Sequence, residues 1–513
     1  MVTPLGRLAT GLRYSSILAK TAALGMWDKT ASRRYLMESL GSVPGLSAKA
    51  AQFLSMRLGE EPNQNPVCLE PMPLEYVKAR IERESPALHA ELEQLAPATK
   101  VASLGQVHRA TLRSGEEVAI KIQFPDLKAG MSEHLQLLRT VSKVGPPRKF
   151  QFEMDSILDF FSESLTAELD YRREAQQQME AAKALPMGWP IRIAQVYPQF
   201  SSSTILVQSY EEAEDLANIR KSWSYEARSD MAQSLMVYAL SALFGHGLLH
   251  TDPHPGNLGF RRVSGLSARY AHELVLYDFG SMMRIPQKER TLLLQLIRAY
   301  QDGGDTVPFD YLVALGFDPQ KLLSTSHKLP AVLQKLFEPF CTEAAFDFAQ
   351  WGLKEHFHRV LGDERWWFRS AGPAWFLMLM RSVQGLLHAV DELGCRVPVK
   401  HLLRELDLPL YPLPVPAMLA GLDPKSLGRL SDLAQALCIL VCDSQGEELV
   451  RLELPARSVD EIEELIPTET LARMQEQKLD IQAMKQRVQS SAYHPQEIFA
   501  LQTTDRSYRV WLR

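Results

Sequence analysis

The chain has few cysteines, no excess of basic charge and no long uninterrupted apolar run. Its five cysteines are scattered over 513 residues, so we expect a reduced compartment and no disulfide framework. The formal net charge of -5 argues against a nucleic-acid-binding protein. No segment reaches the roughly 18 apolar residues of a transmembrane helix, because Arg381 interrupts the run 374–390, and we expect no such anchor.

One loop carries the most informative pattern. Residues 250–257 read His-Thr-Asp-Pro-His-Pro-Gly-Asn, and an apolar strand further on ends at Asp278-Phe279-Gly280. Protein-kinase-like folds use an Asp, an Asn and a second Asp in this order on nucleotide phosphates and their magnesium. Oxygens of Asn257 and Asp278 suit Mg²⁺, and Asp252 would orient or deprotonate the attacking group. The pattern predicts phosphoryl transfer, with ATP or ADP and Mg²⁺ as cofactors.

A hairpin upstream supplies the lysine that such a site requires. Residues 106–112 alternate as a strand does, Ser114-Gly115 predicts a turn, and 117–122 read Glu-Val-Ala-Ile-Lys-Ile. Val-Ala-Ile-Lys is typical of the third strand of kinases, in which the lysine neutralises phosphates and pairs with a helix carboxylate. Lys121 is therefore predicted to be part of the catalytic site.

Two features of ordinary protein kinases are missing. The loop 100–105 is Lys-Val-Ala-Ser-Leu-Gly rather than GxGxxG, so the nucleotide must be held differently. After Gly280 only a few residues precede a periodic run, 289–300, that predicts a helix with Pro286 near its start. This leaves no room for a long activation segment or an APE motif, which removes the usual platform for a peptide substrate.

These segments together resemble the UbiB-type atypical kinase-like proteins, also called AarF-domain-containing kinases, over about residues 40–310. Residues 101–110 are similar to the family's alanine-rich loop with SIGQVHRA, 168–177 to ELDYxxEAxN, 250–257 to HADPHPGN, and 49–52 to KxGQ. The resemblance implies an α+β, bilobal protein-kinase-like fold. Its small lobe would have an antiparallel sheet and an inserted helix, its large lobe would be mostly helical, and a helical extension would precede both.

The resemblance also implies roles for single residues. Lys49 and Gln52 would cover the substrate side and contact Glu168 and Asp170, as a regulatory set, and Glu174 would pair with Lys121. The residues expected to bind the nucleotide are Val101, Ala102, Ser103, Lys121, Gln208 and Tyr210.

The chain departs from the family pattern at several of these positions. Lys100 and Val101 stand where the family has alanines, so the preference between ATP and ADP is open. Ala51 replaces the glycine of KxGQ, Thr251 replaces the alanine of HADPHPGN, and Gln208-Ser209 replaces the usual Met-Glu hinge. The phosphate and metal residues themselves match the family.

Two other enzyme classes share part of this pattern. His250-x-Asp252-x-His254 could resemble the ligand set of a metal hydrolase, but Pro253 and Pro255 argue against a ligand-bearing helix there. A small-molecule kinase of the aminoglycoside phosphotransferase type has the same Asp/Asn/Asp chemistry. That class would not explain the motifs at 49–52 and 168–170.

Two functions remain. The first is an unorthodox kinase or ATPase that acts on water or a small lipid-like acceptor, which the resemblance ties to isoprenoid quinone or lipid metabolism. The second is a catalytically weak, nucleotide-gated scaffold, a pseudokinase, that binds protein or lipid partners. No particular protein partner is indicated.

The N-terminal residues bear on location. Residues 1–27 contain Arg7, Arg13 and Lys20 and no acidic residue. This composition suits a helix on an anionic membrane surface, or a transit peptide. We expect a cytoplasmic protein with peripheral membrane contact, and a mitochondrial location is the alternative.

Breaks rich in proline and glycine, together with the periodicity of apolar residues, predict four parts of the chain. Residues 1–95 form the helical N-terminal extension, 96–212 the small lobe, and 213–407 the large lobe with its helical continuation. Residues 408–513 begin with a proline-rich linker and continue as an extension of unknown role, in which only a charged helix near 468–488 is predicted.

Overall fold

The computed structural model describes residues 71–513, except 102–103, 126, 128–167, 264–269, 305, 324, 365–367, 369–370, 420–433, 435, 467–473, 475–478, 492 and 504–505. In chain order its helices and strands are α1 (Leu74–Glu84), α2 (Pro86–Glu91), β1 (Leu92–Val101), β2 (Gly105–Leu112), β3 (Glu117–Gln123), α3 (Tyr171–Lys183), β4 (Ile191–Ile193), β5 (Ile205–Ser209), α4 (Leu216–Ser222), α5 (Tyr225–Leu240), β6 (Leu248–His250), β7 (Leu258–Arg262), β8 (His272–Leu276), β9 (Met282–Arg284), α6 (Gln287–Gln301), α7 (Pro308–Ala314), α8 (Pro319–Leu323), α9 (Leu329–Cys341), α10 (Leu353–Leu361), α11 (Ala374–Leu393), α12 (Val399–Glu405), β10 (Ala436–Asp443), β11 (Glu448–Pro455), α13 (Ile462–Leu465), α14 (Ile481–Ser490), β12 (Gln496–Gln502) and β13 (Arg506–Leu512).

The small lobe is built on an antiparallel sheet with the strand order β1-β2-β3-β5. Alternation along β3 buries Val118, Ile120 and Ile122 against α1, while Lys121 lies on the opposite face. Helix α3 covers that opposite face and packs Tyr171 against β5. The strand period therefore decides that Lys121 projects toward α3 rather than into the core of the lobe.

The large lobe has one extensive core, in which α5 lies at the centre. Most residues of α5 are buried, and a π-helical segment, Ser241–His246, continues it until Gly247. Gly247 has a φ of 73°, a conformation that glycine adopts at little cost, and it turns the chain into β6. β6 pairs with β9, and β7 and β8 form a hairpin beside β4. This arrangement brings the ends of β6 and β8 together.

Residues after the large lobe differ from a simple linker and tail. The proline-rich segment 408–416 lies against α6, where Gln295 Oε1 accepts from the Leu413 amide at 2.9 Å. Beyond it, the prediction of a charged helix alone was incomplete. Four strands in the order β11-β10-β13-β12 form an antiparallel sheet with its own core, and α14 packs on it.

The sheet is not predictable from local patterns, because the apolar run 433–442 has no feature that identifies it as a strand. A short apolar run is consistent with a buried strand or a buried helix, and its partner β13 lies far away in the sequence. None of the helices in the described ranges has the length and apolar content needed to cross a membrane.

Candidate phosphoryl-transfer site

Lys121 lies at the centre of a charged cluster between the two lobes. Its Nζ is 2.8 Å from Glu174 Oε1 and 3.1 Å from Asp278 Oδ2. The ring of Tyr171 lies beneath it, with its centroid 5.0 Å from Nζ. Tyr171 and Glu174 are three residues apart on α3, so both project from the same face of that helix. Strand β3, helix α3 and the segment after β8 thus meet at one point.

The cluster contains two carboxylates and one ammonium group. Burial raises the pKa of Glu174 to about 7, although the attraction of Lys121 lowers it. Burial lowers the pKa of Lys121, but the carboxylates of Asp278 and Glu174 outweigh this and leave it well above its ordinary value. Lys121 is therefore charged at neutral pH, and the carboxyl groups of Asp278 and Glu174 hold its ammonium group in place.

The loop after β6 is fixed to the segment after β8 through His250. Its Nδ1 accepts from the Asp252 amide at 3.1 Å, so the proton lies on Nε2, which donates to the Asp278 carbonyl at 2.7 Å. Burial lowers the pKa of His250 and keeps the ring neutral. Thr251 adds a second link, because its hydroxyl lies 3.0 Å from the Ser281 carbonyl oxygen.

Asn257 and Asp278 lie at the same end of the β7–β8 hairpin. Leu258, which begins β7, pairs with Leu276, which ends β8. Asn257 Nδ2 donates to the Asp252 carbonyl at 3.3 Å, which orients the amide with its oxygen on the other side. Asp278 Oδ1 accepts from the Gly280 amide at 3.0 Å. The three polar residues of the sequence pattern are thus brought together by backbone contacts.

The donor set fits magnesium. Asp278 offers a carboxylate and Asn257 an oriented amide oxygen, and Mg²⁺ in nucleotide sites takes one or two carboxylates plus phosphates and waters. Among the described residues, no group of three or more His, Cys, Asp or Glu could hold a metal ion. Both ring nitrogens of His250 are engaged by backbone groups, which argues against its role as a ligand in the metal-hydrolase alternative.

The structure describes only some of the residues that are expected to bind the nucleotide. Gln208 Oε1 accepts a hydrogen bond from Gln178 Nε2 at 2.8 Å. The Nε2 of Gln208 donates to the Tyr277 carbonyl at 3.4 Å, so the Gln208 side chain supports the residue before Asp278. The Tyr210 amide donates to the Glu117 carbonyl at 3.0 Å. Val101 ends β1, while Ala102 and Ser103 lie outside the described residues. Their contacts with a nucleotide stay predictions.

Lys100 makes a contact that sequence reasoning did not anticipate. Its Nζ donates to the Gly256 carbonyl at 2.6 Å and so joins β1 to the loop 250–257. Burial lowers the pKa of Lys100, while the Asp278 carboxylate raises it. The residue that replaces a family alanine is therefore a bridge between the lobes.

The predicted regulatory residues are only partly described. Asp170 caps α3, because its side chain accepts from the Arg172 amide at 3.1 Å, and Glu168 is buried. Lys49 and Gln52 lie outside the described residues, so their contact with this pair stays a prediction.

Comparison with known families now identifies the domain. Residues 70–305 match the model of the ABC1 atypical kinase-like domain. This stretch is an ABC1 atypical kinase-like domain. The predicted resemblance to the AarF-domain family is thereby confirmed over these residues.

Two similar proteins illustrate the extent of the match. An uncharacterized protein of Mycobacterium tuberculosis is 34% identical over 207 residues, 39% of this chain and 40% of that protein. AarF domain-containing protein kinase 1 of Xenopus laevis is 32% identical over 188 residues, 35% of this chain and 34% of that protein. The chain thus spans less than half the length of these curated relatives.

A solved structure shares the fold. The complex of Rv3197 with erythromycin from Mycobacterium tuberculosis has a TM-score of 0.51 and 22% identity, over 74% of this chain and 96% of that chain. The predicted α+β, bilobal kinase-like fold is confirmed.

One helix beyond the ABC1 domain also reaches the site. Arg381 of α11 places Nη2 3.1 Å from Asp252 Oδ2. Ser382 Oγ donates to the His250 carbonyl at 2.6 Å, and Gly385 lies against Pro253. Sequence reasoning considered Arg381 only as an interruption of an apolar run. A lone arginine within such a run was the available signal, because a charge on a buried helix face requires a partner.

Proposed function

We propose that the ABC1 domain binds a magnesium nucleotide in the crevice around Lys121 and transfers its terminal phosphoryl group. The observation that supports this most strongly is the convergence of Lys121, Glu174 and Asp278 within 3.1 Å, beside the loop that carries Asp252 and Asn257. An ordinary structural ion pair would not require a second carboxylate and an oriented amide at the same place. The family's kinase-like character agrees with this reading.

Each residue then has a separate task. Lys121 contacts the nucleotide phosphates, and Glu174 holds its ammonium group in place. Asp252 orients the attacking hydroxyl or water and accepts its proton. Mg²⁺, when bound by Asp278 and Asn257, supplies neutralisation of phosphate charge.

We propose water or a small lipid-like hydroxyl as the acceptor. Residues 282–284 form β9, which pairs with β6, and α6 begins at Gln287. A long activation segment therefore has no place between Gly280 and α6, and a peptide lacks its usual platform. A role in isoprenoid quinone or lipid metabolism, with peripheral contact to anionic membrane, is the finer proposal that follows from the family resemblance.

Phosphate release from Mg-ATP tests the proposal. Wild-type protein would be compared with Asp252→Asn, with and without anionic vesicles, beside a panel of protein substrates and radiolabelled ATP. We expect slow hydrolysis that depends on Asp252 and rises with vesicles, since a basic N-terminal segment would concentrate the protein on anionic lipid. A matched control is Glu343→Gln, which removes a carboxylate paired with Lys400 of α12.

Two outcomes would change the proposal in different ways. Efficient phosphorylation of the protein panel, lost in Asp252→Asn, would overturn the choice of acceptor. Nucleotide binding without Asp252-dependent turnover in any condition would favour the nucleotide-gated scaffold.

A further inference from the structure

The cation beside Asp252 comes from outside the loop that carries Asp252. Residues 250–257 contain no lysine or arginine. Arg381 of α11 supplies the charge, with Nη2 3.1 Å from Asp252 Oδ2 and only 16% of its side chain exposed. A guanidinium keeps its proton at any ordinary pH, so the charge at this point is permanent.

Helix α11 is held against the loop by two further contacts. The buried hydroxyl of Ser382 donates to the His250 carbonyl at 2.6 Å. At Gly385 an added Cβ would lie 3.0 Å from Pro253 Cγ and 3.4 Å from the Pro253 carbonyl oxygen, so any larger residue would push against the loop. Contacts on both sides of one helical turn therefore fix the position of Arg381 relative to Asp252.

The guanidinium is arranged for more than one acceptor. It presents five N–H donors in a planar fork that matches carboxylate and phosphate oxygens. One nitrogen of this fork, Nη2, pairs with Asp252, and 16% of the side chain stays exposed. The remaining part of the fork is therefore available to a phosphate oxygen beside Asp252.

We propose that Arg381 binds the terminal phosphoryl group of the nucleotide, which makes α11 part of the active site although it lies outside residues 70–305. This inference rests on the proposed nucleotide site and adds a residue to it. Arginines that neutralise the transferred phosphoryl group accelerate such reactions by about 10³–10⁵-fold.

Arg381 keeps its protonation state throughout the proposed chemical step. With water as acceptor, a new bond forms between the water oxygen and the γ-phosphorus, and the bond from that phosphorus to the β–γ bridging oxygen breaks. The electron pair of that bond leaves with ADP, and the proton of the water passes to Asp252. Arg381 remains protonated and contacts the equatorial oxygens of the transferred group.

Binding in an Asp252→Asn background tests the contact. This background prevents turnover and removes the carboxylate that Arg381 pairs with, so a merely positioning role of Arg381 would leave nucleotide affinity unchanged. Affinities for Mg-ATP and Mg-ADP would be measured by calorimetry for Asp252→Asn and for Asp252→Asn with Arg381→Gln. The control adds Arg220→Gln, which breaks an exposed ion pair between α4 and Glu392 of the same helix α11.

We expect Arg381→Gln to lower the affinity for Mg-ATP roughly 10- to 100-fold, on the scale of one charged hydrogen-bonded contact, with the affinity for Mg-ADP nearly unchanged. Arg220→Gln should change neither affinity.

If Arg381→Gln melts at a lower temperature, Arg381→Met keeps the apolar stem of the side chain and serves in its place. An unchanged ratio of the two affinities would overturn the role of Arg381. Failure of Asp252→Asn to bind either nucleotide would instead remove the proposed site, and this inference with it.

Discussion

Lys121 Nζ and Glu174 Oε1 lie 2.8 Å apart although 53 residues separate them in the sequence. The contact joins β3 to α3 and orients the ammonium group toward Asp278 of the large lobe. Glu174 is only 2% exposed, so its carboxyl group lies in a largely water-free place beside this partner. The pair is therefore expected to behave as one unit in nucleotide binding.

Lys121→Met should weaken the binding of Mg-nucleotide by about 1–3 kcal/mol, the scale of a lost charge-assisted contact to phosphate. Glu174→Gln should cause a smaller loss in the same direction. Because the two side chains contact each other, the double variant should lose less than the sum of the single losses. Calorimetry on the four proteins measures the coupling.

A matched control for this cycle lies in the C-terminal unit. Lys485 pairs with Glu463 at 3.0 Å, so Lys485→Met breaks a similar pair outside the kinase-like lobes and should leave nucleotide affinity unchanged. Full additivity of the Lys121 and Glu174 losses would show that Glu174 is not the functional partner of Lys121.

The raised pKa of Glu174 predicts a pH dependence of stability. The folded protein holds this proton up to about pH 7, whereas an unfolded chain releases it near 4.5. Because the folded state binds more protons between these values, its free energy of unfolding should fall as the pH rises through that window. The decrease relative to Glu174→Gln, which does not titrate, should be on the order of 1–3 kcal/mol.

Chemical denaturation at about pH 5 and about pH 8 measures this difference, with nucleotide absent. Wild type and Glu174→Gln differ by one titrating group, so other pH effects largely cancel in the comparison. The difference in free energy of unfolding between wild type and Glu174→Gln should change between the two pH values. If it stays constant, or favours the wild type more at the higher pH, burial does not raise the pKa of Glu174.

Gly385→Ala tests the close approach of α11 to the loop 250–257. In a helix interior this change ordinarily stabilises by about 1 kcal/mol. Here the new methyl group would meet the Pro253 ring at 3.0 Å, so we expect no gain in melting temperature and a loss of turnover of up to about 100-fold from misplacement of the site.

Gly245→Ala is the matched control, because this glycine also lies in a helical segment, Ser241–His246, and its Cβ would meet Ser241 Oγ at an ordinary 3.5 Å. Thermal melting and phosphate release are measured on both variants. A Gly385→Ala protein that is more stable and fully active would mean that α11 is not tightly docked on the loop.

Local patterns were sufficient to predict much of the candidate site. The Val-Ala-Ile-Lys motif predicted a strand whose Lys121 pairs with a helix carboxylate, and the structure places Lys121 beside Glu174 and Asp278. The run that predicted a helix over 289–300 corresponds to α6. These features are readable because they depend on residues close together in the sequence.

Other features depend on contacts that no local pattern contains. Arg381 reaches Asp252 only because α11 packs on the loop through Ser382 and Gly385. The bridge from Lys100 to Gly256 spans 156 residues. The pairing of β10 with β13 likewise becomes visible only in the three-dimensional structure, because an apolar run of that length does not indicate which strand it pairs with.

Stabilisation by Mg-nucleotide is the most direct test of the claim that the crevice around Lys121 is a nucleotide site. A ligand that binds only the folded state raises its melting temperature, so Mg-ATP or Mg-ADP should stabilise the wild type. Asp278→Asn replaces the metal carboxylate by a neutral amide. We predict that this variant folds without nucleotide but loses the Mg²⁺-dependent stabilisation, while Glu343→Gln keeps it. Undiminished stabilisation of Asp278→Asn by Mg-nucleotide would contradict the account.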